Sequence, residues 1–274
     1  FIFATGDSKI NEKFLGVKYK SLSKYLLTDT AIVYPLEYEN KREQFHPYTI
    51  AKTMKHGWRW ITPTWSRIGT GYVFSSRHVS VDKAVDEFLK DIGNDKISPS
   101  VVNFKPRYNP KTFHKNWSTI GMSQGFLEPL DAPGLTLTME ILMTQLSHYI
   151  SIYETHLKND EKTMKIELEK LNDLVVNRKF NFWCAFILCQ YKTCHRNDTR
   201  FWRNHKRVKC DFYDEFINNL DIPNSDVGNF LFQQTMASKG VRWKTSLSSE
   251  PYVVNDHMSE KMHHLDYISQ YHNK

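Results

Sequence analysis

The residues best placed to do chemistry lie in Gly121–Gly134, GMSQGFLEPLDAPG. Gly121, Gly125 and Gly134 carry no Cβ, so a ligand can approach their backbone closely. Pro129 and Pro133 stiffen the chain between them. The apolar run that follows reads as a helix beginning near Leu135. Its positive end would point at whatever the loop holds. A flat or anionic ligand suits such a place. So does the plainer reading, a glycine-capped loop ahead of a core helix.

A second concentration is Gly57–Ser76, GWRWITPTWSRIGTGYVFSS. Trp58 and Trp60 are two apart and face the same side of an extended strand. Pro63 ends that strand's ladder, because proline has no backbone N–H. Gly69 to Ser76 reads as the partner strand, reached through a loop containing Arg67. Gly69 and Gly71 leave one face of it bare, open to a flat ligand or to another backbone. An aromatic-rich core hairpin accounts for the same pattern. Gly69-Thr70-Gly71 is not a dinucleotide fingerprint, since the third glycine position holds Phe74 and no helix follows.

Other reactive residues read as structural. Cys189, Cys194 and His195 match no zinc spacing, and Cys184 and Cys189 sit in an apolar helix. The basic run Arg200–Lys209 reads as a solvated helix face without a nucleic-acid motif beside it.

The elements that must position these groups follow from composition and period. The 274 residues can bury a substantial core, and a net charge of +7 favours anionic ligands. Four cysteines clustered in one third of the chain do not make a disulfide framework, which points to a reducing cytoplasm. No apolar run reaches the roughly 18 residues that span a bilayer, and the first residues do not read as a signal peptide. Phe1-Ile2-Phe3-Ala4 reads as a buried strand whose sheet partners lie elsewhere. Strands are expected over Thr30–Tyr34, ended by Pro35, and over Val101–Arg107. Helices are expected over Val79–Leu89 with Ser80 as N-cap, Leu135–Leu157, Lys162–Val176, Phe180–Tyr191 and Phe201–Asn219. Residues 1–150 are read as one unit and 151–274 as a mostly helical region covering the substrate side.

Four segments taken in order, GWRWITP, GTGYVFSS, GFLEPLDAPG and RNDTRFW (Arg196–Trp202), resemble the flavin-dependent halogenases of the tryptophan halogenase family. That family carries GWxWxIP, GxGYVxSS, GFxEPLESTG and RxDTxFW. The resemblance implies an α/β fold: part of a Rossmann-like FAD-binding module of the flavin monooxygenase type, with an added sheet and a mostly helical C-terminal region. The family's glycine fingerprint and catalytic lysine lie ahead of the matched segments and are not in this sequence. The expectation is therefore the C-terminal portion of a longer protein, or one whose front half is separate.

By the same resemblance, the activity is halogenation of an electron-rich, indole-like aromatic, dependent on reduced FAD and O2, with hypohalous acid delivered from the flavin. A separate flavin reductase would supply the reduced cofactor. Gly121, Met122, Gly125, Pro129 and Leu135 correspond to FAD contacts, Pro133 and Gly134 to the halide site, and Asp131 to the catalytic acid. Trp58 and Trp60 correspond to the wall between flavin and substrate. Asp131 is one methylene shorter than the family's glutamate. Ala132 lacks the serine hydroxyl, and Pro133 lacks an amide donor. One donor fewer implies looser halide selectivity, with bromide or iodide used at least as well as chloride. The family's indole-recognition residues do not appear between Ile222 and Trp243, so free tryptophan is not the expected substrate. Further copies of the chain are expected as partners, and membranes and nucleic acid are not. Two alternatives stand beside this reading: a flavin monooxygenase that uses no halide, and a non-catalytic assembly or binding fragment.

Overall fold

The tryptophan hairpin forms where its spacing places it, with α-helical residues packed on both of its faces. The structure, a computed structural model, describes residues 1–6, 9–157 and 160–218. In chain order it begins with β1 (Ile2–Phe3), α1 (Lys9–Leu15), β2 (Lys20–Ser21) and β3 (Thr30–Leu36). Then come α2 (Lys41–Gln44), β4 (Ile50–Met54), β5 (Gly57–Pro63), β6 (Ile68–Phe74) and α3 (Val81–Ile92). Five short strands follow: β7 (Ser100–Asn103), β8 (Arg107–Tyr108), β9 (Phe113–His114), β10 (Trp117–Thr119) and β11 (Gly125–Phe126). The described chain ends in helices: α4 (Pro133–Leu157), α5 (Glu161–Asn172), α6 (Asn181–Thr193), α7 (Arg200–Arg207) and α8 (Asp211–Asn218). A π-helical stretch, Asp173–Phe180, joins α5 to α6.

The main sheet is antiparallel in the order β4-β5-β6-β3-β7. Its two faces separate by side-chain alternation. Tyr72 and Phe74 meet Ala84 and Phe88 of α3 on one side. Trp58 and Val73 face a larger core on the other, with Leu127, Tyr191 and Trp202. Arg59, which alternates with Trp58 along β5, points to the α3 side and pairs with Asp91 at 2.8 Å.

Several expectations shift. Pro35 does not end β3, which continues to Leu36 with Pro35 opposite Gly69. β7 pairs with β3 only from Thr30 to Val33, so Pro35 sits on a free edge where its missing N–H leaves no broken ladder. The expected strand 101–107 divides into β7 and β8, which belong to different sheets. The helix expected over 201–219 divides into α7 and α8, with Val208 extended at ψ 123 between them. Ser80 precedes α3 as expected, without a side-chain cap bond. β1 pairs in parallel with β10 as an edge strand, and Phe1 and Ile2 are exposed rather than buried. Among those residues no helix is long and apolar enough to cross a membrane.

Candidate active site

The β5 register sets Trp58 opposite Thr53 of β4 and Val73 of β6, and Trp60 opposite Ala51 and Gly71. Both indoles therefore lie on one face, with ring centroids 6.2 Å apart. The Trp58 N–H donates to Oε1 of Glu128 at 2.6 Å. Tyr191 on α6 donates its O–H to the same oxygen at 2.7 Å. Glu128 has no exposed surface, and its Oε2 has no hydrogen-bond partner among the described residues. Burial raises its carboxyl to about 7; the hydrogen bonds from Tyr191 and Trp58 pull it down, and the charge of Asp131 pushes it up. Because Oε1 accepts both donors, the proton held near neutral pH belongs on Oε2.

Behind this triad, the Tyr191 ring stacks on His205 with centroids 4.1 Å apart. Burial lowers His205 to about 3, so it is neutral, and its Nε2 accepts the Leu27 N–H at 3.4 Å. Glu128 is absent from the sequence-derived site. The signal that could have found it is an acid set between Leu127 and Pro129-Leu130, since a carboxylate inside an apolar run is seldom solvated.

The glycine loop runs beside this triad. Gln190, the residue before Tyr191, donates its Nε2 to the carboxylate of Asp131. The last turns of α6 thus hold both acids of the loop through neighbouring side chains. Asp131 and Ala132 both have positive φ, 62° and 50°. The left-handed region costs about 1–2 kcal/mol for a residue with a Cβ. Pro129 closes the preceding turn by accepting the Ala132 N–H at 2.9 Å. The chain then enters α4 at Pro133, two residues ahead of the expected start and at the helical position proline suits best. Pro133 is buried and has no N–H to offer, so Gly134 is the first residue of α4 with an amide donor.

The glycines divide into two groups. Among the described residues Gly121 (φ 65°) and Gly134 are open: a Cβ at Gly121 would have only Thr138 Oγ1 within reach, at 4.0 Å, and one at Gly134 would meet nothing within 4 Å. Met122 and Leu135 beside them are 50% and 77% exposed. Gly125 is different. It pairs with Tyr108 of β8, and a Cβ there would meet Arg107 O at 2.7 Å, so close strand packing explains it. Gly71 is also covered. A Cβ on it would land on the Trp60 ring and the Ile32 carbonyl, so the strand face expected to be bare is filled by Trp60.

The RNDTRFW segment docks on the same sheet. Trp202 donates its indole N–H to Met54 O at 2.9 Å, and Thr199 donates its hydroxyl to Lys55 O at 2.6 Å. Phe201, Trp202 and His205 are buried while Arg203 and Arg207 face solvent, the amphipathic face read from the basic run. Cys184 and Cys189 are buried along α6 as packing residues. The region 222–243, where indole-recognition residues were sought, lies outside the described residues.

The open edge at Gly121, Met122, Gly134 and Leu135, set at the N-terminus of a 25-residue helix, fits a flat anionic group such as a flavin. The sequence profile of the family described as Tryptophan halogenase matches residues 1–246. The chain is 28% identical to the tryptophan 7-halogenase RebH of Lentzea aerocolonigenes over 199 residues, 72% of this chain and 36% of that protein. It is 27% identical to the tryptophan 7-halogenase KtzQ of Kutzneria sp. (strain 744) over 225 residues, 81% of this chain and 40% of that protein. Its fold matches the crystal structure of a tryptophan halogenase from Shewanella frigidimarina NCIMB 400 with a TM-score of 0.75, 21% identity, and coverage of 98% of this chain and 52% of that one. The chain spans less than half the length of these two curated relatives.

Proposed function

Since this chain belongs to the tryptophan halogenase family, we propose that it contributes the halide loop and the aromatic wall of a flavin-dependent halogenase. The observation that carries this reading is that neighbouring residues of α6 hold both parts, Gln190 on Asp131 and Tyr191 on Glu128, which in turn holds Trp58.

Reduced FAD, when bound, supplies the electrons that turn O2 and halide into hypohalous acid. Gly121, Met122, Gly134 and Leu135 would border it with backbone groups. The Gly134 N–H, at the positive end of α4, is the donor available to a halide. A missing donor at Pro133 costs the small, strongly hydrated chloride more than bromide or iodide. Trp58 and Trp60 form a packed wall that keeps water from the oxidant on its way to substrate. Asp131, held by Gln190, orients the halogenating species; the hypohalous acid then replaces a ring hydrogen by halogen and releases water. A flavin reductase is the required partner. In its protonated form, which burial favours, Glu128 leaves no charge at Trp58 to draw water inward.

The test supplies the protein with FAD, a flavin reductase, O2, an indole and each halide in turn, and reads product masses. Halogenated product that needs halide, with bromide or iodide used at least as well as chloride, is expected. Trp58→Ala should keep flavin oxidation while lowering product per flavin oxidised. Hydroxylated product without halide would overturn the reading in favour of a monooxygenase, and absence of FAD affinity would leave a binding fragment.

A further inference from the structure

A cavity of about 290 Å³ opens between β4, β5 and the C-terminal end of α6, on the side of Trp58 that faces Gln190. Trp58, Tyr191, Trp202, Leu130 and Ala51 form its apolar walls, and Thr53, Gln190, Thr193, Cys194 and His195 its polar margin. Ala51 and Thr53 alternate along β4 on the same face as Trp60 and Trp58, and both are exposed, so the cavity has its mouth at the β4 edge. Its floor includes Gln190, whose side chain holds Asp131.

We infer that this cavity receives the ring to be halogenated, and that its ligand is an uncharged one- or two-ring aromatic without a free amino-acid head group. The inference rests on the proposed function above and adds the class of substrate. Three arguments carry it. The volume lies at the lower end of small-molecule sites, roughly 300–1,000 Å³, which limits the occupant to one or two rings. Trp58, Tyr191 and Trp202 present aromatic surfaces on which a flat ring gains contact. Among the described residues the lining holds no lysine, arginine, aspartate or glutamate. An ammonium and a carboxylate brought here would lose water without gaining a charged partner, whereas a ring N–H or phenol O–H is served by Thr53, Thr193 or His195. The cavity shares Trp58 with the wall and Gln190 with the acid, so an occupant lies next to both.

The experiment uses fluorine NMR of fluoroindole and of L-fluorotryptophan titrated with the full chain, without flavin or halide. Saturable binding of fluoroindole is expected, with L-fluorotryptophan at least about tenfold weaker, because an uncompensated buried charge costs more than one decade of affinity. Thr53→Trp and Ala51→Leu fill the mouth from exposed strand positions. Each should weaken fluoroindole binding by about tenfold or more while thermal unfolding stays near that of the parent. Fluorotryptophan binding as tightly as fluoroindole, or fluoroindole binding unchanged in both folded variants, would overturn the inference, as would no saturable binding. These outcomes are separate from those of the halogenase assay. Binding that behaves as expected with no halide-dependent product defeats only the halogenase reading, and product formation indifferent to both variants defeats only the cavity assignment.

Discussion

Replacing Glu128 separates its two roles, acceptor and buried acid. Glu128→Ala removes the oxygen that accepts both the Trp58 N–H at 2.6 Å and the Tyr191 O–H at 2.7 Å. Each donor left buried without a partner costs about 1–3 kcal/mol, so the variant should lose roughly 2–6 kcal/mol before any void is counted. Glu128→Gln keeps an amide oxygen for both donors and should lose about 1 kcal/mol or less. Wild type and Glu128→Gln also differ in pH dependence. Burial raises the Glu128 carboxyl from 4.5 to about 7, so the folded state holds the proton more tightly than the unfolded chain. Its contribution is full below about pH 4.5, falls as pH rises towards about 7, and is gone above that. Ionising it in the fold costs ~3 kcal/mol at about 1.4 kcal/mol per pH unit. Urea unfolding of wild type, Glu128→Gln and Glu128→Ala at pH 5 and pH 8 checks both statements. Relative to Glu128→Gln, wild type should lose stability between these values. His205 does not confuse the comparison, because it is present in all three proteins. Equal losses in the alanine and glutamine variants would refute the shared-acceptor argument, and equal pH slopes in wild type and Glu128→Gln would refute the buried acid.

Three further outcomes follow from the loop and the hairpin. Ala132→Gly relieves a left-handed alanine (φ 50°) and should raise stability by up to about 1 kcal/mol once the added freedom of the unfolded chain is counted; a lower thermal midpoint would contradict this. Gly71→Ala forces a methyl onto the Trp60 ring and the Ile32 carbonyl and should cost about 1–3 kcal/mol or more. Gly134→Ala, with nothing within 4 Å of the added carbon, should leave the thermal midpoint nearly unchanged while weakening halide use. A Gly71→Ala protein as stable as Gly134→Ala in the same melt would show that the hairpin packing is misread.

Local pattern was sufficient for the parts of this protein whose neighbours lie close in the chain. The two-residue spacing of Trp58 and Trp60 placed both on one face, and the glycine–proline loop ahead of an apolar run announced α4. The apolar run at 180–191 announced a buried helix. Tertiary structure decided the rest, because it depends on groups far apart in sequence. Glu128 lies 70 residues from Trp58 and 63 from Tyr191, and no local period tells that one carboxyl will be sealed under both. Likewise Gln190 reaches Asp131 across 59 positions. The sequence shows that Gly71 has no side chain, but only the register of β5 on β6 shows that Trp60 fills the space. Local geometry is set by backbone sterics and hydrophobic period, whereas the protonation and partner of a buried polar group depend on desolvation by elements that meet only in the folded chain.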